Sequence, residues 1–284
     1  MNTKKKIIFQ HDNGEVEGIY FSAGPASPLV IIVNGHNGFY NYGMFPYIQK
    51  ELVENGISSY SFNFSHGGIV GDADYFEDLV KYEKNCVRLE IEDLLCILHN
   101  LHSGKFDEHS NIILLAHSLG GVPTIFGANK AVEVHISVDG IILISSVKTL
   151  NFWPPEMIKE WATAGVFYKK NNRTKQELPQ GFEFLQEVLN SDTKWNVEAV
   201  IKSLQIPTLI IHGENDEAIP VEHGETLFAW ARENNSKAEL KIIPHATHTY
   251  NTKHPFESAS TEIKELLEII CEWVKKVYPC EINS

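Results

Sequence analysis

The sequence predicts an α/β protein, a mostly parallel sheet with helices on both faces. Two observations predict it. Short, almost wholly apolar runs recur along the chain: LVIIVNG at 29–35, NIILLA at 111–116, VDGIILIS at 138–145 and TLIIHG at 208–213. Each has the pattern of a strand buried on both faces. Between them lie longer stretches whose apolar residues recur at helical spacing.

Taken in order, residues 7–9, the turn Asp12-Asn13-Gly14 and residues 16–21 read as a hairpin. After the strand at 29–33, residues 44–56 form an amphipathic helix stopped by Gly56. Residues 58–64 are the next strand, followed by a Gly- and Asp-rich loop to residue 78. The stretch 83–102 carries Val87, Ile91, Leu94, Leu95 and Leu98 on one helical face. A strand at 111–116 runs into a short helix, GVPTIFGANKAV. Strands at 138–145, 208–213 and 240–245 follow, and the last helix covers 260–277.

Residues 147–200 break the alternation. They hold no strand-like run but do hold Trp153, Trp161, Phe167, Tyr168, Phe182 and Trp195. They read as a helical insertion over one edge of the sheet, most of its aromatics forming its own core. The expected organisation is therefore a core of residues 1–146 and 201–284 with a small helical cap at 147–200.

The bulk properties narrow the function. The chain has 284 residues, 43% hydrophobic and 21% charged, enough for one large core. A net charge of −13 repels phosphate backbones and anionic lipid, and Lys4-Lys5-Lys6 is the only basic run. Nucleic acid is thereby set aside as a partner. The apolar start is too short for a signal-peptide core, and no window approaches the roughly 18 apolar residues of a membrane helix. A cytoplasmic location is expected. Cys86, Cys96, Cys271 and Cys280 form no C-x-x-C pair, so reduced, inert thiols are expected, with no metal and no cofactor.

The chemistry is carried by AHSLGG, 116–121. Ser118 follows a strand and precedes a helix, at the sheet edge where open parallel sheets bind ligands. A serine in so tight a turn projects its hydroxyl into the cleft, and the positions two before and two after it must be small. Here they are Ala116 and Gly120. The helix start also offers the Leu119 N–H to a developing oxyanion. Such a string occurs by chance in roughly one chain of this length in five, so its surroundings must decide.

A serine needs a base, and the base an orienting acid. The strand TLIIHG leads into GENDEAIP, which places Asp216 just past the strand end. The strand LKIIPH leads into HATHTY, which places His248 in the following loop. Ser118, Asp216 and His248 thus lie in the chain order Ser…Asp…His, each at the carboxyl end of a different strand. Glu214 and Glu217 compete with Asp216, and His245 competes with His248; the loop length favours His248. The loop NGHNGFYNYG, 34–43, supplies the second oxyanion donor, the N–H of His36, with Asn37 second. The side chains of His36 and His66 read as scaffold. Asn37, Phe39, Tyr40, Tyr42 and Trp153 are expected to shape the substrate pocket. Asp72, Asp74, Glu77 and Asp78 read as a solvated acidic loop.

With these residues assembled, the chain resembles the α/β-hydrolase superfamily over essentially its full length. More narrowly it is similar to a bacterial serine-esterase branch of feruloyl-esterase-like and acyl-peptidase-like hydrolases. The resemblance rests on NGHNGFYNYGMFPYIQKEL, SFNFSHGG, AHSLGG, IPTLIIHGENDEAIP and HATHTYNTKHPF. It implies the α/β-hydrolase fold: an eight-stranded sheet, an antiparallel second strand and a cap inserted after the sixth. It also implies Ser118, Asp216 and His248 as the triad, with His36 and Leu119 as backbone donors. Two departures stand out, Asn34-Gly35 where many relatives have His-Gly, and Ala116 where many have Gly.

The expected function is hydrolysis of carboxylic esters of small or medium substrates through an acyl-enzyme, with a rate that falls on acidification because the base must be neutral. A small-molecule ester or related acyl compound is the expected partner. Thioesters, amides and peptides, and C–C bonds are alternatives on the same scaffold. A non-catalytic ligand-binding protein is the alternative outside enzymes.

Overall fold

The computed structural model describes residues 3–278. The chain opens with a hairpin, β1 (Thr3–His11) and β2 (Gly14–Ser22), turning at Asp12-Asn13 within the predicted Asp12-Asn13-Gly14. Then come β3 (Leu29–Val33), α1 (Phe45–Glu54) and β4 (Ser58–Asn63), with β3 buried at every residue. The helix expected at 83–102 is instead two: α2 (Leu79–Lys84) and α3 (Val87–His99). The break has a cause at each end. Asp78 caps α2 by accepting the Lys81 N–H at 2.9 Å. Cys86 is extended, and the first N–H groups of α3 at Val87 and Arg88 are taken by the Glu187 carboxylate at 2.6 and 3.0 Å.

β5 (Ile112–His117) runs through one short 3-10 turn at Ser118–Gly120 into α4 (Gly121–Glu133), and β6 (Gly140–Ile144) follows. The chain then makes α5 (Pro155–Ala164), β7 (Phe167–Lys170), β8 (Glu177–Gln180), α6 (Phe182–Leu189) and α7 (Val197–Ser203). It ends with β9 (Thr208–Gly213), α8 (Glu222–Asn234), β10 (Ala238–Ile243) and α9 (Thr261–Val277). Eight strands form one sheet in the order β1-β2-β4-β3-β5-β6-β9-β10. β2 is antiparallel to both neighbours, and β4, β3, β5, β6, β9 and β10 run parallel. The α/β-hydrolase sheet anticipated from the sequence is present.

Two apolar cores cover its faces. One joins β1, β2, α3 and α4 to the aromatics of the insertion; the other packs α1 and α9 against the opposite face. Of the four cysteines, Cys86, Cys96 and Cys271 carry free thiols, and Cys280 lies outside the described residues. No helix among the described residues is long and apolar enough to cross a membrane.

The segment between β6 and β9 corrects one expectation: it is not wholly helical, because β7 and β8 pair as an antiparallel hairpin. α6 and β8 pack on α2, and Leu178 of β8 joins Phe39, Phe76 and Tyr82 in a small apolar cluster over the loops that leave β3 and β4. Trp153, Trp161, Phe184 and Trp195 are buried as a continuation of the main core, while Tyr168 and Phe182 are exposed.

Candidate active site

The site is built at the carboxyl ends of β3, β5, β9 and β10, with β6 lying between β5 and β9. Ser118 carries the local signature of the turn it occupies, a φ of +57° that non-glycine residues rarely adopt. Such strain persists only where the surroundings impose it. The neighbours show how. A Cβ on Gly120 would overlap the Asn34 carbonyl oxygen and meet the Val33 oxygen at 2.8 Å, and one on Gly35 would meet His117 O and the Ser118 Cβ at 2.8 Å each. The small residues let the two backbones touch. Asn34, buried, braces its loop by donating from Nδ2 to Phe62 O at 2.7 Å, the role open to it in place of histidine. Gly120→Ala is therefore expected to lower stability by about 3 kcal/mol, since the obstacle is backbone that cannot move aside. A chemical-denaturation midpoint equal to wild type would contradict this.

His248 reaches Ser118 from the loop after β10. Its Nε2 lies 3.1 Å from the Ser118 Oγ, and its Nδ1 lies 2.8 Å from Asp216 Oδ2 and 3.1 Å from Oδ1. Asp216 is the acid brought to it. Glu217 meets only the His248 N–H, at 3.4 Å, and Glu214 meets the N–H of His245. The His245 side chain is 80% exposed, on the surface rather than in the cleft. The Asp216 carboxylate also accepts the N–H groups of Ala218 and Ile219 at 3.0 and 2.8 Å. Burial works to raise its pKa. The hydrogen bonds from His212, His248 and Ile219 outweigh burial and hold it well below the usual carboxylate range.

Two histidines beside the three were not given roles from the sequence. His117 donates from Nε2 to the carbonyl oxygen of His248 at 2.9 Å, its ring 4.6 Å from the His248 ring. His212, fully buried on β9, donates from Nε2 to Ile219 O at 2.9 Å and lies 3.4 Å from Asp216 Oδ2, so it braces the acid's loop. The signals were their positions, one residue before the serine and four before the aspartate.

A cavity of about 320 Å³ opens over Ser118, lined by Gly35, His36, Asn37, Tyr42, His117 and His248 together with Asn171, Asn172 and Arg173 from the β7–β8 turn. Of the expected pocket residues, Asn37 and Tyr42 line it and Phe39, Tyr40 and Trp153 do not. Phe39 is buried edge-on beneath Tyr42 at 5.4 Å. Tyr40 turns away, its hydroxyl donating to Asp72. Trp153 packs behind the His36 ring and against Trp161. The His36 ring lies away from solvent, stacked on Phe184 at 6.2 Å, with its Nε2 unpartnered. His66 bonds Ser65 Oγ through Nδ1 at 2.9 Å, as scaffold. The acidic loop is more than solvated surface, since Asp72, Asp74 and Asp78 each hold a named partner. Among the described residues, no group of three or more histidine, cysteine or carboxylate side chains could hold a metal ion.

Burial pushes the pKa of His36 down to about 3, aided by Lys169, and that of His117 down to about 3, aided by His248. Both stay neutral in the fold and take protons on unfolding below the ordinary histidine value of 6.5, so stability falls with falling pH. Glu90 and Glu187, raised by burial to about 8 and about 7, act in the opposite sense above the ordinary glutamate value of 4.5. Below about pH 4.5 that opposition ends, and the histidines destabilise the fold down to about pH 3. The urea midpoint is expected to drop across this window; a constant midpoint would contradict it.

Comparison with known proteins agrees with this architecture. Solved structures that match over nearly the full chain include three at TM-scores of 0.65–0.70. Est1E from Butyrivibrio proteoclasticus is 18% identical, with 96% of this chain and 98% of that one covered, at a TM-score of 0.67. The alpha/beta hydrolase GrgF from Penicillium sp. sh18 is 18% identical, with coverage of 96% and 98%, at 0.70. Mouse alpha/beta hydrolase domain-containing protein 10 is 17% identical, with coverage of 96% and 99%, at 0.65. A second Est1E structure holds ferulic acid. Among curated proteins, dipeptidyl-peptidase 4 of Giardia intestinalis is 34% identical over 70 residues, 24% of this chain and only 9% of that protein. Residues 30–263 match the model of the alpha/beta hydrolase family, and the chain belongs to that family.

Proposed function

We propose that the protein is a serine hydrolase that cleaves carboxylic esters of small or medium substrates through an acyl-enzyme. The observation that carries the reading is the continuous chain Ser118 Oγ–His248–Asp216 at the floor of a solvent-open cavity, with the serine held at a strained φ. His248 takes the Ser118 proton as Oγ attacks the ester carbonyl carbon, and Asp216 holds the imidazole with Nδ1–H toward it and stabilises the imidazolium. The oxyanion accepts from the N–H groups of Leu119 and His36. Collapse of the tetrahedral intermediate expels the alcohol, which takes the proton from His248 Nε2. Water, deprotonated by His248, then attacks the acyl-enzyme and restores Ser118.

The insertion 147–200 acts as the cap that closes the cavity, and the reduced thiols of Cys86, Cys96 and Cys271 support a cytoplasmic enzyme. A cavity of about 320 Å³ suits a compact acyl or aryl group. The ferulic acid in Est1E, a fold relative, is a molecule of that size class. The test is hydrolysis of p-nitrophenyl esters from acetate to laurate. Turnover with a preference for the shorter acyl chains is expected, and no turnover of any member overturns the ester reading.

A further inference from the structure

The β7–β8 turn brings a cation to the cavity. Arg173 is the only aspartate, glutamate, lysine or arginine among the described residues lining it, in a chain of net charge −13. It is held with care. Its guanidinium sits over the rings of Phe39 and Tyr42, at 5.1 and 5.7 Å from their centroids. Nη1 donates to Asp74, to Oδ1 at 2.9 Å and to the backbone carbonyl. Gln176, three residues on, exchanges two hydrogen bonds with the backbone of Phe76, so the turn is fastened across the loop.

The ion pair leaves the fork incomplete. Asp74 engages Nη1 alone, while Nη2 is buried with no hydrogen-bond partner. Asp74 is also shared. His254 Nδ1 accepts the Gly43 N–H at 2.8 Å, so its Nε2 carries the hydrogen and donates to Asp74 Oδ1 at 2.6 Å. The Asp74 side chain is 59% exposed against 20% for Arg173, so water screens the carboxylate more than the guanidinium. A guanidinium is shaped to take a carboxylate through two parallel N–H bonds. Here it is stacked in place beside the cavity with donors to spare, and a strut alone would need neither the placement nor the spare donors.

We infer that the ester cleaved at this site carries an anionic group, a carboxylate, that pairs with Arg173. This rests on the ester-hydrolase reading of Ser118. The anion arrives on the side of the acyl or alcohol portion that points to the β7–β8 turn, where no carboxylate among the described residues lines the cavity to repel it.

The test compares near-isosteric pairs. On the alcohol side these are 4-carboxyphenyl and 4-carbamoylphenyl butanoate, and on the acyl side monomethyl adipate and its terminal amide. The wild-type enzyme is expected to favour the acid of at least one pair by about tenfold or more in kcat/KM, mainly through KM. Arg173→Gln removes that preference, and Arg173→Lys, which keeps the charge without the fork, retains part of it. Asp74→Asn separates binding from bracing. If Arg173 only braces the turn, Asp74→Asn and Arg173→Gln act alike; if it binds the anion, Asp74→Asn keeps or strengthens the acid preference. Equilibrium binding of the same compounds to Ser118→Ala decides the matter even if no ester turns over, which would be the failure of the hydrolase reading and not of this one. Equal rates and equal binding for acid and amide in both pairs, or an unchanged preference in Arg173→Gln, overturn the inference.

Discussion

Ser118→Ala is expected to lower ester turnover by a factor on the order of 10⁴ or more, to the level left by binding and the oxyanion donors. The size follows from what the hydroxyl does. In the proposed mechanism Oγ is the atom that forms the covalent bond, and alanine offers nothing in its place. The fold is expected to survive, because the hydroxyl's partner is His248 Nε2 at the cavity surface and the strained φ is imposed by Gly35, Gly120 and the Asn34 backbone. KM should change little. Residual turnover within about tenfold of wild type would mean that another group attacks.

Asp216→Asn is expected to lower kcat by roughly 10³–10⁴ with KM near wild type. The two atoms it presents to the loop stay similar in shape, so the Oδ1 bonds from Ala218 and Ile219 persist. What changes is the proton on His248. Asparagine can turn its NH₂ toward Nδ1 and so favour the tautomer with hydrogen on Nε2, which can no longer accept from Ser118. A further loss comes from the missing charge opposite the imidazolium. Glu217 stays on the backbone N–H of His248 and does not substitute. A loss smaller than tenfold would shift the acid's role to another carboxylate.

Much of this was legible in the sequence because the strands of the sheet are buried on both faces. β3, β5, β6 and β9 therefore appear as unbroken apolar runs, and the residues at their carboxyl ends can be read directly. Ser118 and Asp216 are read that way, as polar residues shortly past such a run, whereas His248 is read from the loop after β10, a strand only partly buried. What was illegible depends on contacts between distant segments. The split between α2 and α3 comes from Glu187, 100 residues along the chain, which caps α3 from the insertion. The β7–β8 hairpin has no apolar alternation to announce it, being exposed at Tyr168, Lys169, Lys170 and Glu177. Phe39, Tyr40 and Trp153 are aromatic residues near a cleft, and sequence alone gives no measure of which way a ring turns. Arg173 was missed for the same reason: a lone basic residue in a polar turn carries no pattern, and only the fold sets it beside Ser118.

In the proposed mechanism Ser118 is a nucleophile activated by His248. The most direct measurement is the mass of the intact protein, and of its digest, after reaction with a fluorophosphonate. A single adduct on the peptide containing Ser118, abolished in Ser118→Ala and strongly slowed in His248→Ala, is the predicted result. No adduct, or an adduct on a different residue, would contradict the claim.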